Sequence, residues 1–173
     1  MAASLLVMVC DITAKSKKHA SDRTRLKRLS RSLSRARDEL IALARDDATA
    51  YDLVLAAIRK ARKSGKRDTG EARKALTHAA KVPMKTANLC IDVLGGAVEV
   101  AGIGITSASS DVGVAVLLAH AGYGGAAMNV RINLEGLEGS AFAKVASREL
   151  LLMDERANDL MGSALKVLRS QAR

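Results

Sequence analysis

The sequence predicts an all-α protein, an antiparallel bundle of several helices, and three observations carry that reading. Proline occurs once in 173 residues and aromatic side chains three times, so a core must be built from Leu, Val, Ala and Met. Apolar residues recur at steps of three and four, most clearly at Leu26, Leu29, Leu33, Ala36, Leu40, Leu43, Ala50, Val54 and Ala57. No stretch alternates apolar and polar residues strongly enough to argue for a strand. With 49% apolar residues, the chain is expected to form one domain over residues 1–173.

In chain order, residues 2–10 form an apolar opening segment. A long amphipathic helix is expected from about Ser21 to Arg62, broken in its stripe only at Asp47. Asp47 is either a half-buried carboxylate or a surface residue, the latter if the stripe shifts to Ala44, Ala48, Tyr51, Leu55 and Ile58. Lys63–Gly70 reads as a polar loop, followed by a helix over about Thr69–Lys81. Pro83 suits the first turn of a separate helix running to about Ala101. Gly95 and Gly96 within it cost about 1–2 kcal/mol relative to alanine, a cost that close approach of a neighbouring helix would offset. Gly102–Ser110 connects to a central helix that ends near Leu134, with Ser109 or Ser110 as its expected cap and Asp111 in its first turn. Gly136 and Gly139 bracket the turn into a final helix whose buried side includes Phe142, Leu150, Met153 and Leu165.

The central helix runs nineteen residues, Val112–Val130, without a formal charge. Such a helix is the centre of a bundle or a membrane span. Its four glycines, with His120 and Asn129, favour the bundle, and the glycines invite close approach by another helix. The net charge of +10 is concentrated in residues 15–37, which hold ten Lys or Arg against one Asp. Nucleic acid is one partner for such a stretch, but it lacks aromatic stacking platforms. The leucines interleaved there fit the solvated face of an amphipathic helix equally well. Two cysteines far apart, with no zinc spacing, point to a reducing, cytoplasmic setting and no metal.

Several residues carry chemistry. Asp111 is a helix N-terminal acid or an acid–base group. Asn129 and Asn133, four apart, share one face and are either packed amides or donor–acceptor pairs for a ligand. Lys17 and Lys18 are a solvated helix end or anion contacts. Asp11, on an otherwise apolar helix, is costly unless paired, and a lysine is its natural partner. His78 and His120 read as structural, and no phosphate loop or nucleophile triad is present.

Ser110-Asp111-Val112-Gly113-Val114-Ala115 and Asn129-Val130-Arg131-Ile132-Asn133-Leu134 resemble the SDAGVA and NVRINL elements of the formiminotetrahydrofolate cyclodeaminase and methenyltetrahydrofolate cyclohydrolase family. Asp46-Asp47-Ala48-Thr49-Ala50-Tyr51 is similar to its DDxxAF segment, Val82-Pro83 to its VP, and Met8–Thr13 with Lys17-Lys18 to its MVCNLT and lysine run. The resemblance covers roughly residues 2–160. It implies a homodimeric helical enzyme acting on one-carbon tetrahydrofolates, without metal or nucleotide cofactor and outside the membrane. It implies catalytic roles for Asp111, Lys17 and Asp11. Substrate contacts would come from Ser110, Asn129, Asn133, Lys18 and Asp47. The basic segment would suit a polyglutamylated folate.

Four departures stand out. The family's PGGGS loop is absent ahead of Met1-Ala2-Ala3, and Arg62–Arg67 replaces an LPK segment. Asp11 stands in place of Asn and His19 in place of Tyr. A start assigned downstream of the true one, or a relative that has lost part of its site, would each explain the first. The residues do not separate cyclohydrolase from cyclodeaminase; the balance leans slightly to the former, because channelling from a fused formiminotransferase is not expected. The rival readings are an inactive helical relative, a basic nucleic-acid binder and a membrane helix pair.

Overall fold

The computed structural model describes residues 1–63 and 70–171. It is all-helical, with helices α1 (Ala2–Lys15), α2 (Arg23–Lys63), α3 (Gly70–Ile103), α4 (Ser109–Glu135) and α5 (Ala141–Gln171). Short 3-10 segments at Lys17–Asp22 and Thr106–Ala108 turn the chain. No strand occurs among the described residues. The loop expected at Lys63–Gly70 lies, for residues 64–69, outside them.

α3 is the axis of the bundle: α1, α2, α4 and α5 all pack on it. Leu94, Val93, Ala97 and Val100 of α3 meet Leu6 and Val9 of α1, Leu26 and Leu33 of α2 and Val112, Val116 and Val130 of α4 in one core. Gly96 lets α2 come close, because a Cβ there would lie 2.9 Å from Leu33 Cδ2. Lys60 Nζ donates to Glu71 at 2.7 Å and joins the end of α2 to the start of α3. On α4, Arg131 donates to Asp154 and His120 bonds Asn158, so α5 runs back antiparallel.

Residues 15–37 show the solvated amphipathic face. Leu26, Leu29 and Leu33 are buried, whereas Lys17, Lys18, Arg23, Lys27, Arg28 and Arg31 are exposed. The stripe of α2 does not shift at Asp47. Leu43, Ala50, Ala57 and Ala61 stay buried while Ala44, Ala48, Tyr51 and Ile58 face outward. Asp47 is therefore half-buried at the edge of an unshifted stripe.

Two expectations are corrected. Pro83 does not begin a helix; it lies inside α3, buried. A mid-helix proline removes the N–H that would bond the carbonyl four residues back, here Ala79. Asn133 Nδ2 donates to that oxygen at 3.0 Å, so α4 supplies the missing hydrogen bond and α3 continues. Nor does Ser109 or Ser110 cap α4. Its cap is Ala108, reached through the 3-10 turn, with no side-chain bond.

Candidate functional site

α1 lies between α2 and α4 over α3 and ends at Met1. Two cavities follow one another between α2, α3 and α4. The first, of 510 Å³, is bounded by Met1 and Ala2, by Leu40 and Ile41 of α2, by Cys90 and Val93 of α3 and by Leu118 and Gly122 of α4. The second, of 390 Å³, is lined by Asp47, Tyr51 and Val54 of α2, Leu76 and Ala79 of α3, and Asn129, Ile132, Asn133 and Glu135 of α4. Each helix contributes to the two in register, so they lie end to end over α3 along one line, a furrow in two parts. From Arg37 to Val54 along α2 it extends about 25 Å at 1.5 Å per residue. One end is apolar and the other carries amides and carboxylates. Met1, Ala2, Ala3 and Ser4 at the start of α1 border the apolar part.

Local structure fixes the polar end. Asn133 is held by its bond to Ala79, which leaves its amide oxygen and second N–H for another partner. Asn129 lies one turn earlier on the same face and is exposed. Asp47 and Tyr51 are one turn apart on α2, so carboxylate and phenol face the same cavity. Gly136 closes the floor: a Cβ there would lie 2.8 Å from Leu76 Cδ1. Sequence reading passed over Glu135. Its signal is a carboxylate in the last turn of a helix, where the dipole disfavours negative charge.

The other named residues lie at the opposite end of the bundle. Asp11 lines a 540 Å³ cleft with Ala14, Lys15, Arg23 and Lys27. Its hydrogen-bond partner is not the expected lysine: Ser30 Oγ donates to it at 2.8 Å, and Asp11 is exposed rather than buried. Lys17 and Lys18 sit exposed on the adjoining 3-10 segment. Ile105 N donates to Thr13 Oγ1 at 3.0 Å, which ties this end of α1 to the entry of α4. Ser110 is exposed and Asp111 half-buried in the first turn of α4. Asp111 and Asn129 are eighteen residues apart, about 27 Å along the helix. The named residues thus form two groups, Asp47 with Asn129 and Asn133, and Asp11, Lys17, Lys18, Ser110 and Asp111 far from them.

Neither thiol is a nucleophile at neutral pH. Burial pushes Cys90 up to about 11. Burial, helped by the charges of Asp11 and Glu99, pushes Cys10 up to about 12. Tyr123 is likewise raised, first by burial and then by donating to Asp154 Oδ1 at 2.5 Å. Arg131 Nη2 donates to the other oxygen of Asp154 at 2.6 Å, so these three residues clip α5 to α4. No cluster of three or more His, Cys, Asp or Glu side chains suited to a metal occurs among the described residues.

Residues 1–151 match the family model described as formiminotransferase-cyclodeaminase. A methenyltetrahydrofolate cyclohydrolase of Methylorubrum extorquens is 35% identical over 153 residues, covering 87% of this chain and 74% of that protein. The crystal structure of formiminotetrahydrofolate cyclodeaminase from Thermotoga maritima matches with a TM-score of 0.89 over 100% of this chain and 84% of that one, at 28% identity. By the family model and this relative alike, the chain belongs to the formiminotransferase-cyclodeaminase family.

Proposed function

We propose that this protein processes one-carbon tetrahydrofolates, as a 5,10-methenyltetrahydrofolate cyclohydrolase. The observation that carries the reading is the furrow, in which amides and carboxylates at one end adjoin an apolar stretch. A folate has the same division: a pterin edge of alternating donors and acceptors, then an aminobenzoyl ring. Asp47 can accept from ring N–H groups, while Asn129 and Asn133 both give and take hydrogen bonds. Leu40, Val93 and Leu118 suit the ring that follows.

The chemistry asks little of the protein. The bridging methenyl carbon is cationic and attracts water without a metal or a nucleotide. Water adds to that carbon and passes one proton to a carboxylate base; the hydroxyl so formed gives up its own proton as the carbon–N5 bond breaks and N5 takes up a proton, leaving the formyl group on N10. Cyclodeamination is the second reading, supported by the Thermotoga maritima relative's name. There N10 attacks the formimino carbon, a base takes the N10 proton, and ammonia leaves with a proton from an acid. The basic α1–α2 end suits the carboxylates of a polyglutamylated substrate, and the working form is a homodimer. A reducing compartment would keep Cys10 and Cys90 free.

The test is the decay of 5,10-methenyltetrahydrofolate absorbance. Purified protein accelerates it over the uncatalysed rate. Loss of a substrate hydrogen bond in Asn129→Ala lowers kcat/KM by about 10–100-fold. An inactive wild-type protein, tested with both the methenyl and the formimino substrate, would remove the folate reading.

A further inference from the structure

The furrow carries its charges unevenly. Among the described residues that line its two parts, Asp47 and Glu135 are the acidic side chains, and both sit at the amide end. Arg37 is the one basic side chain, and it sits in the apolar part. It lies one turn before Leu40 and Ile41 on α2. A helical side chain leans toward the N-terminus of its helix, so the guanidinium stands at the end of the furrow farthest from Asn133. From Arg37 to Tyr51, which shares a cavity with Asn129, α2 rises about 21 Å. Its own partner holds Arg37 loosely. Arg37 Nε donates to Asp38 Oδ1 at 2.8 Å, and the two side chains are 37 and 65% exposed. Such a pair at the surface contributes little. It also leaves the Nη donors without a hydrogen bond among the described residues, free for the forked contact that a carboxylate accepts.

We infer that Arg37 holds the glutamyl carboxylate of the substrate and so fixes which way round a folate lies in the furrow. The inference rests on the folate reading and adds to it a binding residue at the end opposite the pterin. A folate carries its carboxylates at one end only, on the glutamyl group beyond the aminobenzoyl ring. With the pterin edge on Asn129 and Asn133 and the ring against Leu40 and Leu118, the extended molecule brings its α-carboxylate level with Arg37. Reversed, it would set two carboxylates beside Asp47 and Glu135, where like charges repel and no basic side chain lines the wall among the described residues. Displacing Asp38 costs little, because that carboxylate is mostly exposed and returns to water. The apolar walls keep water from one side of the new pair and strengthen it. Arg37 stands far from the methenyl carbon, so it grips ground state and transition state alike.

Two substrates separate this anchor from a structural role. One is 5,10-methenyltetrahydrofolate; the other is its counterpart in which a methylamide on the benzoyl group replaces the glutamyl group, so that no carboxylate remains. Wild-type protein is expected to favour the first by about tenfold in kcat/KM. Arg37→Ala raises KM for the glutamyl substrate about tenfold with kcat kept, and converts the methylamide as wild type does. The preference thereby disappears. Arg37→Lys keeps the charge but not the forked contact, and restores part of it. A preference that survives in Arg37→Ala, or a loss that falls equally on both substrates, overturns the anchor while the folate reading stands. So does an active wild-type protein that shows no preference between the two. A wild-type protein that converts neither methenyl compound nor the formimino substrate overturns the folate reading, and the anchor with it.

Discussion

Replacing Asn133 tests how the furrow is built. Pro83 leaves the Ala79 carbonyl without its helical donor, and Ala79 is only 5% exposed. Asn133→Ala removes the bond that satisfies it, leaving a buried acceptor unpaired, at a cost of about 1–3 kcal/mol. In a chain of this size, 1 kcal/mol moves Tm by about 2–4 °C, so a fall of roughly 4–8 °C is expected for a mid-range loss. The discriminating assay is a double-mutant cycle followed by thermal and urea unfolding. Pro83→Ala restores an N–H at position 83 that can bond Ala79 within α3. In that background Asn133→Ala should cost less by at least about 1 kcal/mol. Additive effects would refute the claim that α4 holds α3 together across the proline. If the amide also contacts substrate, turnover stays low in the double variant even as stability returns.

Other consequences follow from specific contacts. Gly104→Ala places a Cβ 2.7 Å from the Val100 carbonyl oxygen and 3.3 Å from Val9 Cγ1, so unfolding should show a loss of about 1–3 kcal/mol. Tyr123→Phe removes the hydroxyl from Asp154, which keeps Arg131, so the cost near pH 7 is about 1 kcal/mol. The folded tyrosine is raised above its ordinary value of 10.0, so its contribution is complete below that pH and is lost as pH rises beyond it. Stability of the Phe variant should accordingly fall less steeply than wild type in alkaline titration. Both thiols should resist a disulfide reagent at pH 8 in the folded protein and react at once in denaturant, since burial raises Cys90 to about 11 and Cys10 to about 12. Rapid labelling without denaturant would contradict the burial at the furrow wall.

Much of the fold was legible because one signal, the recurrence of Leu and Ala at helical spacing, was set by the same burial that the structure shows. Leu26, Leu29, Leu33 and Leu43 are buried as their spacing implies. Asp47 was visible as the one polar residue in that stripe, and it does line the cavity. The helix boundary at Pro83 was misread because local propensity is overridden by a donor fifty residues on, Asn133, which no short-range rule anticipates. The furrow itself was not legible. It lies between α2 and α4 over α3, and that depends on how long helices stack rather than on any local pattern. The separation of Asp111 and Asn129, by contrast, follows from eighteen residues on one helix, although the sequence alone does not show which of them lines a cavity.

The most direct test of the account is a crystal structure with a stable folate such as 5-formyltetrahydrofolate. The pterin is expected between α2 and α4, with Asn129, Asn133 and Asp47 on its polar edge and the aminobenzoyl ring against Leu40 and Leu118. A folate bound instead in the α1–α2 cleft beside Arg23 and Lys27, with the furrow left to solvent, would contradict it.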